Sequence, residues 1–322
     1  MLQDNILTIL ERNRGKIITG GAIASRLDVS RTAVWKAVAA LREQGNEIES
    51  IQSSGYRLSE DSDGLNRRII HDYLDTAALG RSMEIAETVS STFHRMAQSN
   101  PHELPEGHTV LAHHQTHGKG RLGRPFYSPK NSGVYMSVLL KPAIELTETP
   151  FLTICAAVAV TRAIEEVCGL ETGVKWVNDV YHNGKKLCGI LTEASVSAEM
   201  QTVDYAVVGI GINTAATPPE VQDIATSICE ATGKRGVRNR LAAGVLNHLE
   251  RVYLDFTRHG KKREILKAYR ERLFIIGRQV EVFEHGQNYT ATVEGIDNSA
   301  RLMVKRENGQ TAYIGAGEIK LC

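Results

Sequence analysis

The sequence is short of several things, and each shortage excludes a class of protein. Cysteine is sparse: five residues, at 155, 168, 188, 229 and 322, with no C-x-x-C pair and no zinc-type histidine spacing. An odd, scattered set reads as reduced thiols and argues against a disulfide-stapled secreted domain. No run approaches the roughly eighteen apolar residues of a membrane-spanning helix. The longest, Ile154–Val160, leads into Thr161, Arg162, Glu165 and Glu166 and reads as a core helix. Net charge is missing too, at +1 over 322 residues, so anion binding has to come from local clusters. The N-terminus, MLQDNILTILERNR, carries acids early and lacks a cleavage site, so it does not read as a signal peptide. There is no internal repeat, no low-complexity tract and no Walker A pattern. A soluble, cytoplasmic protein with no membrane partner is expected.

What is present divides into three regions of an α+β multidomain chain, a number that suits its length. Residues 1–60 form a compact unit that ends in the polar, acidic run Ser59–Gly64, which reads as a linker. In residues 66–273 strand-like runs (Val134–Leu140, Val174–Val180, Leu187–Glu193, Tyr205–Ile212) alternate with helical ones (Thr153–Cys168, Asn239–His259, Lys261–Leu273). That pattern predicts a mixed α/β core of catalytic size. In residues 274–322, short alternating strands at Gln279–Phe283, Tyr289–Ile296, Leu302–Lys305 and Thr311–Ile314 are separated by His285-Gly286, Asn298-Ser299 and Asn308-Gly309 turns. They describe a small β-barrel or sandwich.

The first unit reads as a winged helix-turn-helix. Apolar periodicity marks a helix over 5–13, and a short helix runs to Leu27 with Ile23 and Leu27 inward. After an Asp28-Val29 turn, Ser30 is placed to N-cap a helix over Arg31–Gln44 with Val34, Val38 and Leu41 inward. Glu47–Leu58 then alternates around a Ser-Gly turn, as a wing does. The second helix of such a pair enters the major groove, so Ser30, Arg31, Thr32, Trp35 and Lys36 are the candidate DNA contacts. The unit is only weakly basic, with eight Lys and Arg against seven Asp and Glu, and a small helical interaction domain is the competing reading.

Residues 113–129 read HHQTHGKGRLGRPFYSP. Gly118, Gly120 and Gly123 match G-x-G-x-x-G, but a dinucleotide fingerprint has to open directly into a helix. Pro125 and Pro129 follow too closely for that. What remains is a flexible loop whose backbone can approach a ligand, with Lys119, Arg121 and Arg124 interleaved. Three cations in seven residues suit a polyanion such as a triphosphate; a solvated surface loop is the alternative.

Lys175-Trp-Val-Asn-Asp179 starts on strand patterning and ends polar. A lysine on an otherwise apolar strand either points outward or faces a bound anion. Asn178 and Asp179 form either a turn or a nucleotide and Mg²⁺ contact. Gly209-Ile-Gly-Ile-Asn213 marks a bulge or a close ligand approach. Cys188 has no neighbouring histidine and reads as a core thiol rather than a nucleophile.

Together these motifs resemble the biotin–protein ligase family, specifically its members with a fused repressor domain, over nearly the whole chain and in the same order. Gly118-Lys-Gly-Arg-Leu-Gly-Arg124 is similar to that family's GRGRxGR loop, Lys175–Asp179 to its KWPND, Lys186–Leu191 to its K-L-x-G-I-L, and Gly209–Asn213 to its G-x-G-I-N. The resemblance implies a ligase core and an SH3-like C-terminal small β-barrel. It implies formation of biotinoyl-5′-AMP from biotin and ATP with Mg²⁺, then transfer to a lysine of a biotin carboxyl carrier protein. Operator DNA would be the second partner, with a ligand-promoted homodimer. The implied catalytic residues are Lys175 and Arg121. Biotin would contact Ser91, Thr92, Phe93, Gln115, Lys119, Gly120, Arg121 and Lys175. The adenylate would contact Gly118, Arg124, Asn178, Asp179 and Asn213, and the metal Asp179. The sequence departs from the family where Phe93 replaces a frequent Asn, Lys119 the first loop Arg and Val177 the Pro of KWPND. A lipoate–protein ligase and a non-catalytic biotin-sensing repressor are the rival functions.

Overall fold

The computed structural model describes residues 2–43, 45–197, 201–284, 287–315 and 317–322. The N-terminal unit comprises α1 (Leu2–Glu11), α2 (Gly20–Leu27), α3 (Arg31–Glu43) and an antiparallel wing of β1 (Ile48–Ile51) and β2 (Gly55–Leu58). Its helix ends follow from local chemistry. Thr19 caps α2 by accepting from the Ala22 N–H, Asp28 ends it in the left-handed region, and Ser30 Oγ accepts from the Ala33 N–H at 3.0–3.1 Å scale distances. Gln44, the expected last residue of α3, lies outside the described residues, and α1 starts earlier than the periodicity suggested. Ile6, Leu7, Leu10, Ile23, Val34, Val38 and Leu41 close a separate core.

The run expected to be a linker is fastened at both sides. Arg14 Nη1 donates to the carbonyls of Glu60 and Ser62 at 2.8 and 2.7 Å. From the other side Arg238, fully buried, donates from its backbone N–H to the Asp63 carboxylate and from Nη1 to the Asp63 carbonyl, both at 2.8 Å. The next helix, α4 (Arg67–Tyr73), faces both ways: Ile69 completes the N-terminal core and Ile70 joins the central one.

The central region adds β3 (Met83–Val89), α5 (Thr92–Gln98), β4 (Thr109–Gln115), β5 (Gly133–Leu140), α6 (Thr149–Cys168), β6 (Gly173–Lys175), β7 (Asp179–His182), β8 (Lys185–Ser197), β9 (Thr202–Asn213), α7 (Ile228–Thr232), α8 (Arg238–Thr257) and α9 (Lys262–Glu271). The strands form one mixed sheet in the order β3-β4-β5-β9-β8-β7-β6, with only β3 and β4 parallel. Strand alternation sends Val110, Leu139, Leu191 and Val207 to one face, where α5 packs, and Leu111, Val138, Leu140 and Ile190 to the other, under α6 and α8. The run Val174–Val180, expected as one strand, divides in two: β6 and β7 pair antiparallel around a turn at residues 176–178.

The C-terminal region contains β10 (Gln279–Glu284), β11 (Gln287–Ile296), β12 (Leu302–Arg306), β13 (Thr311–Ile314) and β14 (Glu318–Leu321), in an antiparallel sheet ordered β13-β12-β11-β10-β14. The fifth strand, β14, was not foreseen, and the His285-Gly286 turn lies outside the described residues. Val280, Val282, Leu302, Val304 and Ile319 continue the central core without a break.

Candidate active site

The site lies on the α5 face of the central sheet. Ser91 N-caps α5, its Oγ accepting from the His94 N–H at 3.0 Å. Thr92 follows, and its N–H and hydroxyl both reach Gln115 Oε1, at 2.8 and 3.2 Å. With that hydroxyl proton on Gln115, Thr92 Oγ1 accepts from Ser137 Oγ at 2.9 Å. Helix start and strand end thus bring a polar cluster to the head of an otherwise apolar slot. Phe93 is buried against Met96 and the sheet and faces Gly209, so apolar surface stands where relatives of this motif often carry an amide.

The glycine loop leaves β4 and turns back on itself. Gly120 N–H donates to Arg124 O at 2.7 Å and Phe126 N–H to Gly118 O at 2.8 Å. The loop closes as a hairpin rather than opening a helix, so the dinucleotide reading is excluded by geometry as well. Gly118 has no room for a side chain: a Cβ there would lie 2.3 Å from Phe126 O. Arg121 reaches Asn178 Oδ1 and Gly317 O, each at 3.1 Å, and Arg124 pairs with Glu318 on β14. The C-terminal sheet therefore holds the loop from outside.

Two lysines face the site from β6 and β8. Lys186 Nζ pairs with Asp179 at 2.8 Å and is one-third exposed. Lys175 is half-buried with its ammonium 5.9 Å from the Tyr181 ring centre, and burial pulls its pKa down against the pull of Asp179. Between them, Asn178 donates to Ile190 O at 2.9 Å, Trp176 Nε1 to Ala300 O at 3.1 Å, and the Tyr269 hydroxyl to Val177 O at 3.0 Å. Asn213 donates to Thr226 O at 3.1 Å. Cys188 is fully buried and its thiol is pushed far up in pKa by that burial, which leaves it inert.

Three cavities meet here. The first, about 50 Å³, is bordered by Ser91, Thr92, Phe93, Gln115, Lys119, Gly120, Arg121 and Asn178, so most of the expected biotin contacts converge on it. The second, about 240 Å³, runs past Asn213, Tyr127 and Ile224. The third, about 150 Å³, holds Arg124, Lys175, Asp179 and Glu318. Phe126 and Lys186 border all three. Lys175 borders only the third, and Gly118 packs behind the loop. Sequence reasoning gave no role to Lys186, Phe126, Ser137 or Glu318. Lys186 opens the Lys186–Leu191 motif, and its register on β8 decides its direction.

The DNA-contact candidates sit on the N-terminal unit. Ser30, Arg31, Thr32, Trp35 and Lys36 are all exposed on the outer side of α3, Trp35 with 61% of its surface free. Among the described residues no helix is long and apolar enough to cross a membrane.

Known proteins share this arrangement. Residues 85–213 match the biotin/lipoate A/B protein ligase family, residues 3–57 an HTH domain, and residues 275–321 the biotin protein ligase C-terminal domain. Over 319 residues the chain is 36% identical to the bifunctional ligase/repressor BirA of Bacillus subtilis (strain 168), covering 96% of this chain and 95% of that protein. It is 29% identical over 266 residues to the biotin--[acetyl-CoA-carboxylase] ligase of Mycobacterium tuberculosis, covering 79% of this chain and 95% of that one. The structure of biotin protein ligase from Aquifex aeolicus in complex with biotin and ATP matches 75% of this chain and 99% of its own, with a TM-score of 0.65 and 29% identity.

Proposed function

The chain belongs to the biotin protein ligase family, among the bifunctional ligase/repressors, and from that premise we propose how its residues divide the work. The protein activates biotin with ATP and transfers it to a biotin carboxyl carrier protein, and it binds operator DNA as a repressor. A biotin carboxylate oxygen attacks the α-phosphorus of ATP, and the bond to the bridging oxygen breaks to release pyrophosphate. The carrier lysine amine then attacks the acyl carbon of biotinoyl-5′-AMP, and AMP leaves.

The observation that carries the residue assignment is the meeting of three cavities at Lys186 and Phe126. An ammonium at that junction lies where a carboxylate, an α-phosphate and a nucleoside have to come together. The biotin rings occupy the slot beneath Phe93, with the ureido group at Thr92 and Gln115 and Ser91 fixing the helix start. Lys186, Lys119 and Arg121 take the carboxylate and α-phosphate. Preorganised cations of this kind supply most of the rate in such transfers. Lys175 serves the outer phosphates with Arg124. The base sits in the wider cavity beside Asn213 and Tyr127. Mg²⁺ would screen the triphosphate charge, and the fit is reasonable: Asp179 and Glu318 line the outer cavity, while no three-ligand cluster occurs among the described residues. An ion held by one or two carboxylates and substrate phosphates needs no more.

The domain boundaries 1–60, 66–273 and 274–322, the cytoplasmic location and a homodimer promoted by the adenylate-ordered 118–124 loop belong to the same proposal. A dimer would present two copies of α3 to two half-sites. Operator affinity that ignored biotin, ATP and protein concentration would end the dimer reading.

The test is transfer of labelled biotin to a carrier domain with Mg²⁺-ATP. Wild type transfers; Lys186→Ala loses on the order of a hundredfold or more, Lys175→Ala less, and Arg121→Ala releases adenylate to label proteins indiscriminately. Biotin binding without transfer would leave an effector-sensing repressor, and transfer of lipoate instead a lipoate ligase.

A further inference from the structure

Ser128 stands where the glycine loop rejoins the core, four residues beyond Gly118–Arg124, and is 4% exposed. Its hydroxyl donates to Phe126 O at 3.0 Å and meets Gln115 Nε2 at 2.9 Å. A hydroxyl has one proton, so with that proton on a carbonyl Ser128 can only accept from Gln115. At the other end of the amide, the Thr92 backbone N–H can only donate, and it meets Gln115 Oε1 at 2.8 Å. The two contacts fix which end of the Gln115 amide faces which way. They leave one Nε2 proton without a partner among the described residues. The Gln115 N–H also donates to Ser128 O at 3.2 Å, keeping the two side chains in register. A Cβ on Gly118 would lie 2.6 Å from Ser128 Oγ, so the loop closes onto the same hydroxyl.

The geometry points to Ser128 as a positioning residue that holds the Gln115 amide as a hydrogen-bond donor, so that the pocket accepts a ring urea and rejects a ring guanidine. This rests on the reading of Gln115 as the ureido contact. A urea oxygen accepts the free Nε2 proton. A protonated guanidine offers only donors there and leaves that N–H facing another N–H, which costs the pocket a hydrogen bond. Without Ser128 the amide is held only at Thr92, and its polarity is no longer enforced from both sides.

The experiment is calorimetric Kd measurement on the full-length protein with biotin, desthiobiotin and 2-iminobiotin. Desthiobiotin keeps the urea but lacks the sulfur; 2-iminobiotin replaces the urea by a guanidine. Ser128→Ala and Ser128→Cys are compared with wild type, the thiol being close in size and a poor acceptor. In both variants, biotin and desthiobiotin should weaken together by about tenfold, the size of one hydrogen bond. Binding of 2-iminobiotin should hardly change, so selectivity for urea over guanidine falls by about the same factor. Selectivity that stays at the wild-type value in both variants would overturn the assignment. So would a parting of biotin from desthiobiotin, which would mean general loosening of the slot. Failure of the wild type to bind biotin at all would instead sink the underlying reading of the pocket, and this one with it.

Discussion

The two ends of the chain are attached to its centre in opposite ways. The N-terminal unit, α1 to β2, encloses its own core and, among the described residues, takes only Ile69 from the central region. The C-terminal sheet, β10 to β14, has no separate core: Val280, Val282, Leu302, Val304 and Ile319 belong to the central one. It also reaches the site, through Gly317 and Glu318 on the glycine loop and Ala300 on Trp176. A unit with its own core can keep its fold while its attachment changes, which suits a DNA-binding arm that answers to ligand. A sheet that shares a core has to fold with the enzyme and cannot be lost without it.

The sharpest way to break that comparison is to bury one carboxyl in each region. Val38 and Val282 are both essentially unexposed. Either substitution by aspartate should cost roughly 4–5 kcal/mol locally. Val282→Asp should abolish biotin transfer and lower the main melting transition. Val38→Asp should remove operator binding while transfer survives. Transfer retained in Val282→Asp would show that the C-terminal sheet is as independent as the N-terminal unit.

The attachment itself is tested by Arg238→Met. Arg238 is fully buried, spans Asp63 and Gly133 O, and has one terminal nitrogen, Nη2, without a hydrogen-bond partner among the described residues. Removing the guanidinium strands the Asp63 carbonyl and takes the counter-charge from the largely buried Asp63 carboxylate, which keeps only the backbone N–H of residue 238, and should cost about 3 kcal/mol. Limited proteolysis should then cut at residues 59–64, with biotin transfer largely kept at a temperature below the new melting point. A linker as resistant as in wild type would mean that Arg14 and α4 suffice.

The smallest effect is one of pH. His113 is buried beside Asn131, which Arg238 also contacts at 3.3 Å. Burial, the leading cause, holds its pKa below the ordinary value near 6.5, against the pull of Asn131. Below 6.5 the unfolded chain takes up a proton that the folded chain refuses. Stability should therefore fall as pH drops from 6.5 toward the depressed value, by no more than about 1.4 kcal/mol per pH unit. His113→Gln should flatten that part of a urea-melt pH profile; an unchanged slope would assign it to other groups.

Much of this was legible before any coordinates. The winged unit is local: a 3.6-residue apolar rhythm, a Ser30 cap and a turn-bounded wing each act within a few residues. The glycine loop was legible because glycines, cations and prolines exclude a helix by backbone chemistry alone. The Lys175–Asp179 stretch was less so. Its apolar start reads as a continuous strand, yet Val177 O is taken by Tyr269 and Trp176 by Ala300, 92 and 124 residues away. Asn178 and Asp179 allowed a turn or a ligand contact, and it is those distant partners that settle the turn at residues 176–178. The Ser59–Gly64 run looked like a linker because it is polar, while its carbonyls and Asp63 are claimed by arginines at 14 and 238. Ser128 carried no signal at all, since an isolated serine before a proline is ordinary.

By itself the sequence determined the chemistry available: the order of the three regions, the cations and glycines of the loop, the candidate DNA face and the family these compose. Only the tertiary structure decided which lysine stands at the junction of the three cavities, which way Gln115 presents its amide, and that the last strand helps to hold the loop. The reason is physical. Helix caps, periodicity and turn preferences act over a few residues, so they are written in neighbours. The direction of a side chain in a shared cavity depends on sheet register and on partners far along the chain, and these exist only once the sheet has formed.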